Sequence, residues 1–359
     1  VIDVLIVSLG STNGLRAADE ELRGSLQRAG ASVELVSAQA PATVRTLMLT
    51  DLCWALAARR AAAQALRRTP ARAVIYSSTT AALLWPRGDA VRFDAPSAGN
   101  RPGRHGLWQR PLERRRLAQA SLLLPWSRGG LAELPAGVGG SGSHAGASHA
   151  GGSHTDRALV SATHTGRALV LPVPVEPSGS LAGERDIAAI TYAANPAKKG
   201  LDRVLAAWRQ VHRPGEELVI AGVNSLDLAR AGIELAGEGL TVAGLLAPKE
   251  YRALLRRSRL FVTAPRREDY GMAQLEALAD GCLLVTSPAP GPYAALPIAR
   301  ALDARLVGED LGVAIRAALD QPEADYSARA QQALKPFRRE AVDRLIAERV
   351  LPRLLAPGA

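Results

Sequence analysis

Short apolar runs alternate with stretches of helical spacing along most of this chain, and that order limits the fold more than any other feature. Residues 2–9 read as a buried strand, 15–30 as a helix closed by a glycine, 32–37 as a second strand and 47–68 as a long Ala-rich helix. Residues 73–77, 90–93 and 121–125 predict further strands. Strands and helices in turn imply crossover connections, and crossovers build a parallel, doubly wound sheet. A second series starts near Val170 and predicts strands over 188–193, 217–221, 240–242, 260–264 and 283–287. Helices are expected over 201–211, 249–256 and 272–280, and 338–355 predicts a closing amphipathic helix.

Residues 137–166 interrupt the alternation with Gly, Ser, Ala and His and no periodicity, the composition of a flexible loop. The seven residues from His154 to Val160 return with one change as His164 to Val170, and one copy is enough for a strand. His144, His149 and His154 recur five residues apart, a spacing that does not stack on a helical face. No structural or catalytic metal is expected there.

A length of 359 residues is enough for two cores, and 47% hydrophobic residues exclude a disordered chain. Aromatics are only 4%, so Ala, Leu and Val must fill the interior. Cys53 and Cys282 lie far apart without metal-ligand spacing and read as buried thiols of a reducing compartment. No apolar run has the length of a membrane span, and residues 2–7 read as a strand where a leader would be basic, then apolar. The expectation is a cytoplasmic protein. A net charge of +10 favours anionic partners: a nucleotide diphosphate, an acidic acceptor or, peripherally, an anionic membrane face. Nucleic acid is not expected, because the arginine clusters lack interleaved stacking aromatics.

The most informative stretch is 260–287, which reads strand, loop, helix, strand. That order puts the loop Pro265-Arg266-Arg267-Glu268-Asp269-Tyr270-Gly271 at the carboxyl end of a sheet, where open α/β folds bind ligands. Gly271 lets a ligand approach the backbone, and the amides of Gly271, Met272 and Ala273 are first-turn donors suited to a phosphate or a sugar hydroxyl. Glu276 is an acceptor-only group able to take both hydroxyls of a ribose, and Glu268 can hold sugar hydroxyls in the same way. Taken alone, the pair also suits a helix-start charge and a solvated side chain.

The run from Glu268 to Gly281 resembles the E-x7-E signature of retaining GT-B glycosyltransferases, particularly glycosyltransferase family 4. That signature typically reads Glu-Gly-Phe-Gly-Leu, three residues, Glu-Ala, and a Gly before the next strand. Asn195-Pro196-Ala197-Lys198-Lys199-Gly200-Leu201-Asp202 is similar to the family's Lys-Gly loop, and Leu218-Val219-Ile220-Ala221-Gly222 to its strand ending in Gly. The resemblance covers residues 188–287 closely and the first half only in its alternation.

It implies an α/β GT-B fold of two Rossmann-like, doubly wound domains with an interdomain cleft. Residues 1–170 would hold the acceptor and 171–337 the donor, with 338–359 crossing back to the first domain. The implied activity is retaining transfer from a UDP- or GDP-linked sugar, with no metal and no permanently bound cofactor. Glu268 would contact the donor sugar, Glu276 the ribose, and Gly271, Met272 and Ala273 the sugar and diphosphate. Lys199 would stabilise charge on the leaving diphosphate. The family's Arg five residues before that Lys is Ala194 here, leaving Lys198, Arg266 or Arg267 to substitute. Its Gly-Gly-x-x-Glu segment is replaced by Ala289-Pro290-Gly291-Pro292-Tyr293.

In the first domain, the loop Gly10-Ser11-Thr12-Asn13-Gly14 would face the cleft, with Gly10 and Gly14 allowing close approach to a phosphate. Neither G-x-G-x-x-G nor a P-loop occurs, which disfavours an NAD-dependent oxidoreductase. Asp94, Asn100, Arg101, Arg104 and His105 are candidates for the side that takes a small-molecule, glycan or lipid-linked acceptor. The basic run Arg110 to Arg116 reads first as a solvated helix face and second as a patch for an anionic acceptor or membrane. A catalytically inactive nucleotide-sugar-binding protein is the main rival.

Overall fold

In the computed structural model, residues 1–41, 44, 46–101, 103–138, 164–235 and 237–356 are described. His144, His149, His154 and the first repeat copy lie outside them. The chain divides into two units, Val1–Pro174 together with Arg339–Ala359, and Val175–Arg338.

The first unit runs β1 (Ile2–Ser8), α1 (Asn13–Arg28), β2 (Val33–Ser37), α2 (Leu47–Arg68), β3 (Ala71–Tyr76), α3 (Thr79–Ala82) and β4 (Ala90–Phe93). There follow α4 (Ser97–Asn100), α5 (Gln109–Gln119), β5 (Leu122–Pro125), α6 (Arg128–Ala132), β6 (His164–Thr165) and β7 (Ala168–Leu169). The sheet order is β2-β1-β3-β4-β5-β7-β6, parallel except for the β6–β7 hairpin. Side chains alternate across it: Leu5, Val7, Val74 and Tyr76 belong to one core, Val4, Ile6, Ala73 and Ile75 to the other. On α2, Ala55, Ala58, Ala62 and Ala65 are buried, and their small side chains let the helix lie close to the sheet. Cys282, in the second unit, is buried as expected; Cys53 on α2 keeps part of its surface exposed.

The end of the chain returns to the first unit, where Val342, Ile346, Val350 and Leu354 pack with Leu22 and Leu26 of α1. Arg28 and Asp343 pair at 2.6 Å, and Arg339 and Glu21 at 2.8 Å. The single expected helix is instead Arg339–Leu345, a π turn over Ile346–Val350 and Leu351–Leu354. Pro352 explains the break: it has no amide for the carbonyl four residues back, and its ring crowds that carbonyl.

The second unit runs β8 (Ile187–Tyr192), α7 (Pro196–Lys199), α8 (Leu201–Val211), β9 (Leu218–Ala221), α9 (Ser225–Arg230), β10 (Leu240–Gly244), α10 (Pro248–Arg257) and β11 (Ser258–Thr263). It continues with α11 (Met272–Ala279), β12 (Leu283–Thr286), α12 (Ala295–Leu302), α13 (Leu311–Asp320) and α14 (Tyr326–Ala333). Its sheet is parallel throughout, in the order β10-β9-β8-β11-β12. The chain winds outward from β8 to β10, then returns to lay β11 on the other side of β8. The carboxyl ends of β8 and β11 therefore flank the point where strand order reverses, the ligand-binding position of open α/β sheets.

Candidate active site

Two loops meet at that reversal. After β8, Asn195 takes a left-handed backbone, φ 61°, and is the one non-glycine residue with positive φ among those described. Asparagine tolerates this region, and its side chain caps the following turn by accepting from the Lys198 amide at 3.1 Å. Gly200 closes the turn at φ 65°, and a Cβ there would sit 1.9 Å from the Ala264 carbonyl oxygen. Only glycine allows this loop to lie against the end of β11. The Arg266 amide then donates to the Lys198 carbonyl at 3.0 Å, joining the two loops.

The second loop presents Glu268 and Asp269 to the lysines. Lys199 Nζ reaches Glu268 Oε2 at 2.7 Å, and Lys198 Nζ reaches Asp269 Oδ2 at 2.8 Å. Gln274 Nε2 donates to the same Glu268 oxygen at 3.1 Å, and Arg267 Nε to Asp269 Oδ1 at 3.0 Å. Arg266 is bidentate on Asp202, at 2.7 and 2.9 Å. The three residues expected to replace the missing arginine, Lys198, Arg266 and Arg267, thus each hold a carboxylate of their own unit. Ala289 to Tyr293 forms the floor of this loop. The Pro290 carbonyl accepts from the Glu268 amide, a Cβ on Gly291 would lie 2.3 Å from the Glu268 carbonyl oxygen, and the Tyr293 ring lies against Gly271.

Gly271, at φ 90°, starts α11. The amides of Met272 and Ala273 open this helix, so their donors point out of its first turn. Glu276, one turn on, belongs to a neighbouring cluster and shares no hydrogen bond or ion pair with Lys198, Lys199 or Glu268 among the described residues. Arg252 approaches its Oε1 to 3.9 Å. Burial pushes the Glu276 carboxyl up to about 7, with Arg252 opposing the shift and Asp280 adding to it. Tyr192 and Tyr251 lie beside it with ring centroids 5.2 Å apart, and the buried Tyr251 hydroxyl has no hydrogen-bond partner among the described residues. Arg252 also donates to the fully buried Asp280 at 2.5 Å and to the Glu176 carbonyl at 2.7 Å.

In the first unit, Gly10 has φ 59° and its amide donates to Ser8 Oγ at 3.0 Å. Gly14, expected in the same turn, already lies in α1, with open space where a Cβ would go. Two charged residues not anticipated from the sequence sit nearby. Asp19 accepts from the hydroxyls of Ser8 and Ser77, at the ends of β1 and β3, and lies 3.5 Å from Arg92, whose guanidinium covers the Trp126 ring. Burial raises the Asp19 carboxyl, against the pull of Arg92. The signal was present in the sequence: Asp19 shares a helical face with Leu22 and Leu26. A cavity of about 200 Å³ adjoins it, lined by Ser8, Arg16, Asp19, Glu20, Leu35 and Ser37 among others. Arg101 is held by Asp51 at 2.6 Å, while Arg104 and His105 are exposed on the turn Gly103–Gly106. On α5, Arg114 and Arg115 are exposed; Arg116 turns inward to the Leu83 carbonyl and the Trp85 ring. Among the described residues, no group of three or more His, Cys, Asp or Glu is placed to hold a metal ion. No described helix is long and apolar enough to cross a membrane.

Residues 185–315, all in the second unit, match the family model described as glycosyl transferases group 1. Comparison with curated proteins gives no match. Among solved structures, the chain is similar to WaaG, a glycosyltransferase involved in lipopolysaccharide biosynthesis, at 13% identity and a TM-score of 0.66, covering 99% of this chain and 100% of that one. Anabaena Alr3699/HepE, solved in complex with UDP and glucose, gives 13% identity, a TM-score of 0.63 and coverage of 98% and 99%. A UDP-forming alpha,alpha-trehalose-phosphate synthase from Burkholderia xenovorans gives 14%, 0.64 and full coverage of both chains. At such identities the likeness is one of fold. The fold is GT-B: two Rossmann-like α/β domains, each on a parallel sheet.

Proposed function

We propose that this chain is a retaining glycosyltransferase that moves a sugar from a UDP- or GDP-linked donor to an acceptor hydroxyl. The observation that carries the reading is the meeting of Lys199 and Glu268 at the strand-order reversal of the second unit. Lys199, with the amides of Gly271, Met272 and Ala273, neutralises the diphosphate as it leaves. Glu268 holds hydroxyls of the donor sugar, and Glu276 those of the ribose. Lys198 takes the place of the arginine that Ala194 removes. The bond from the anomeric carbon to the diphosphate oxygen breaks, and a bond to the acceptor oxygen forms on the same face. The acceptor proton passes to the leaving phosphate, and no step calls for a metal or a resident cofactor. The acceptor side falls to the first unit, where the exposed Arg104, Arg114 and Arg115 and the Gly10 turn suit an anionic acceptor or a peripheral contact with an anionic membrane.

A second reading, a nucleotide-sugar-binding protein without turnover, draws on Ala194 and on the pairing of Arg266 with Asp202 and of Lys198 and Arg267 with Asp269. A thermal-shift panel of UDP, GDP, ADP and NAD, followed by a donor-hydrolysis screen across nucleotide sugars, separates the readings. UDP or GDP at 100 times its Kd should add about 2.7 kcal/mol of stability. Product sugar released as the donor's anomer supports retention, and binding without hydrolysis favours the second reading. Stabilisation by NAD alone sinks both.

A further inference from the structure

The packing of α11 does not by itself call for Gln274. The other buried residues of this helix are Leu275, Ala277, Leu278 and Ala279, all apolar, and Gln274 is 1% exposed among them. A leucine would satisfy the pattern at that position. The amide instead carries a penalty, because its Oε1 is buried with no hydrogen-bond partner among the described residues. The amide's hydrogen bond runs from Nε2 to Glu268 Oε2 at 3.1 Å, and the side chain also lies against the Tyr293 hydroxyl.

Lys199 Nζ reaches the same oxygen at 2.7 Å. Two donors, one from α7 and one from α11, therefore converge on Oε2, and no other hydrogen bond to this carboxylate is found among the described residues. The last torsion of a glutamate is intrinsically broad. Held by one oxygen from two sides, the carboxylate cannot turn without breaking both contacts, so Oε1 keeps one direction and its lone pairs stay unused.

We propose that Gln274 is a positioning residue: together with Lys199 it fixes Glu268 so that Oε1 is the acceptor for a hydroxyl of the donor sugar. This rests on the donor-site reading given above. With 1% of its surface exposed, Gln274 presents no free face to a ligand, so on this reading its loss acts on the sugar step through Glu268 and spares the nucleotide.

The test uses the full chain with Gln274→Met, which keeps length and volume, and Gln274→Glu, which keeps shape but sets a second carboxylate against Glu268. For wild type and variants one measures the Kd for UDP and for GDP, the rate of donor hydrolysis, and the thermal midpoint. Gln274→Met should bind the preferred nucleotide within about twofold of wild type and hydrolyse donor about 10–100-fold more slowly, the usual range for a supporting contact. Gln274→Glu should be slower still and recover as the pH falls and the new carboxyl gains a proton to donate. In a Glu268→Gln background, Gln274→Met should add less than about a twofold loss. An equal loss in both backgrounds, or a matching loss of bare-nucleotide affinity, overturns the assignment while leaving the donor site standing. Wild-type protein that neither binds UDP or GDP nor hydrolyses any donor overturns the donor reading and the assignment together.

Discussion

Lowering the pH from about 8.5 to about 6 should weaken the hold on a nucleotide sugar, because the ribose contact assigned to Glu276 needs an ionised carboxylate. Only that form offers acceptors to both ribose hydroxyls. In the free protein, burial raises this carboxyl to about 7, with Arg252 pulling it down and Asp280 pushing it up. If the ionised form alone binds, the apparent Kd grows by a factor of one plus ten to the power of pKa minus pH. That is about 11-fold at pH 6, about twofold at pH 7 and close to unity at pH 8.5. The Glu276 side chain remains 27% exposed, so solvent screening makes these values a ceiling. The sign for stability is opposite. Between the ordinary value of 4.5 and about 7 the folded protein binds more protons than the unfolded chain, so the ligand-free fold loses stability as the pH rises through that window. The ligand should be a nucleotide sugar, whose diphosphate is esterified at both ends, since a terminal phosphate titrates near pH 6 itself. Isothermal titration in two buffers of different ionisation enthalpy reads both the affinity and the proton released. Glu276→Gln should give a flat, weaker profile. A wild-type affinity that does not change across this range, or a variant with the wild-type slope, refutes the ribose assignment.

Three further outcomes follow from the same geometry. Gly200→Ala combines a φ of 65° with a Cβ 1.9 Å from the Ala264 carbonyl oxygen, and should cost roughly 3 kcal/mol in denaturant unfolding; less than about 1 kcal/mol would show that the two loops are not held by this contact. Arg252→Met removes the cation from the fully buried Asp280 and should destabilise by about 3–5 kcal/mol, read as a lowered midpoint, whereas an unchanged midpoint would mean that the Ser178 donors suffice. Replacing the exposed Arg114 and Arg115 by serine should leave stability within about 0.5 kcal/mol and reduce flotation with phosphatidylserine vesicles by about 1 kcal/mol per charge; equal flotation of wild type and variant rules out this face as a membrane contact.

Legibility in this chain follows contiguity. The helix α2 and the strand β4 fall where periodicity puts them, Leu47–Arg68 and Ala90–Phe93, because each is one uninterrupted pattern. The helices α12, α13 and α14 were not anticipated: prolines at 288, 290, 292 and 297 break the apolar spacing around α12, although Pro297 falls in its first turn, where no amide is needed, whereas α13 holds no proline and its spacing of Leu311, Ala314, Ile315, Ala318 and Leu319 was readable. The helix start at Gly271, with Glu268 and Glu276 on either side, was readable for the same reason as α2, since a loop and the helix it feeds are one stretch of chain. The partners that hold these groups were not. Arg252 and Asp280 are 28 residues apart, and Lys199 and Glu268 are 69 apart. Whether such pairs meet depends on which strands lie side by side, and an alternating pattern predicts parallel strands without ordering them. Had β11 been laid beside β10 instead of β8, every strand and helix would keep its sequence signature, yet Lys199 and Glu268 would stand at the ends of strands that are not neighbours. The return of the chain to β8 therefore makes a site from two loops, and that step is a property of sheet order that no local stretch records.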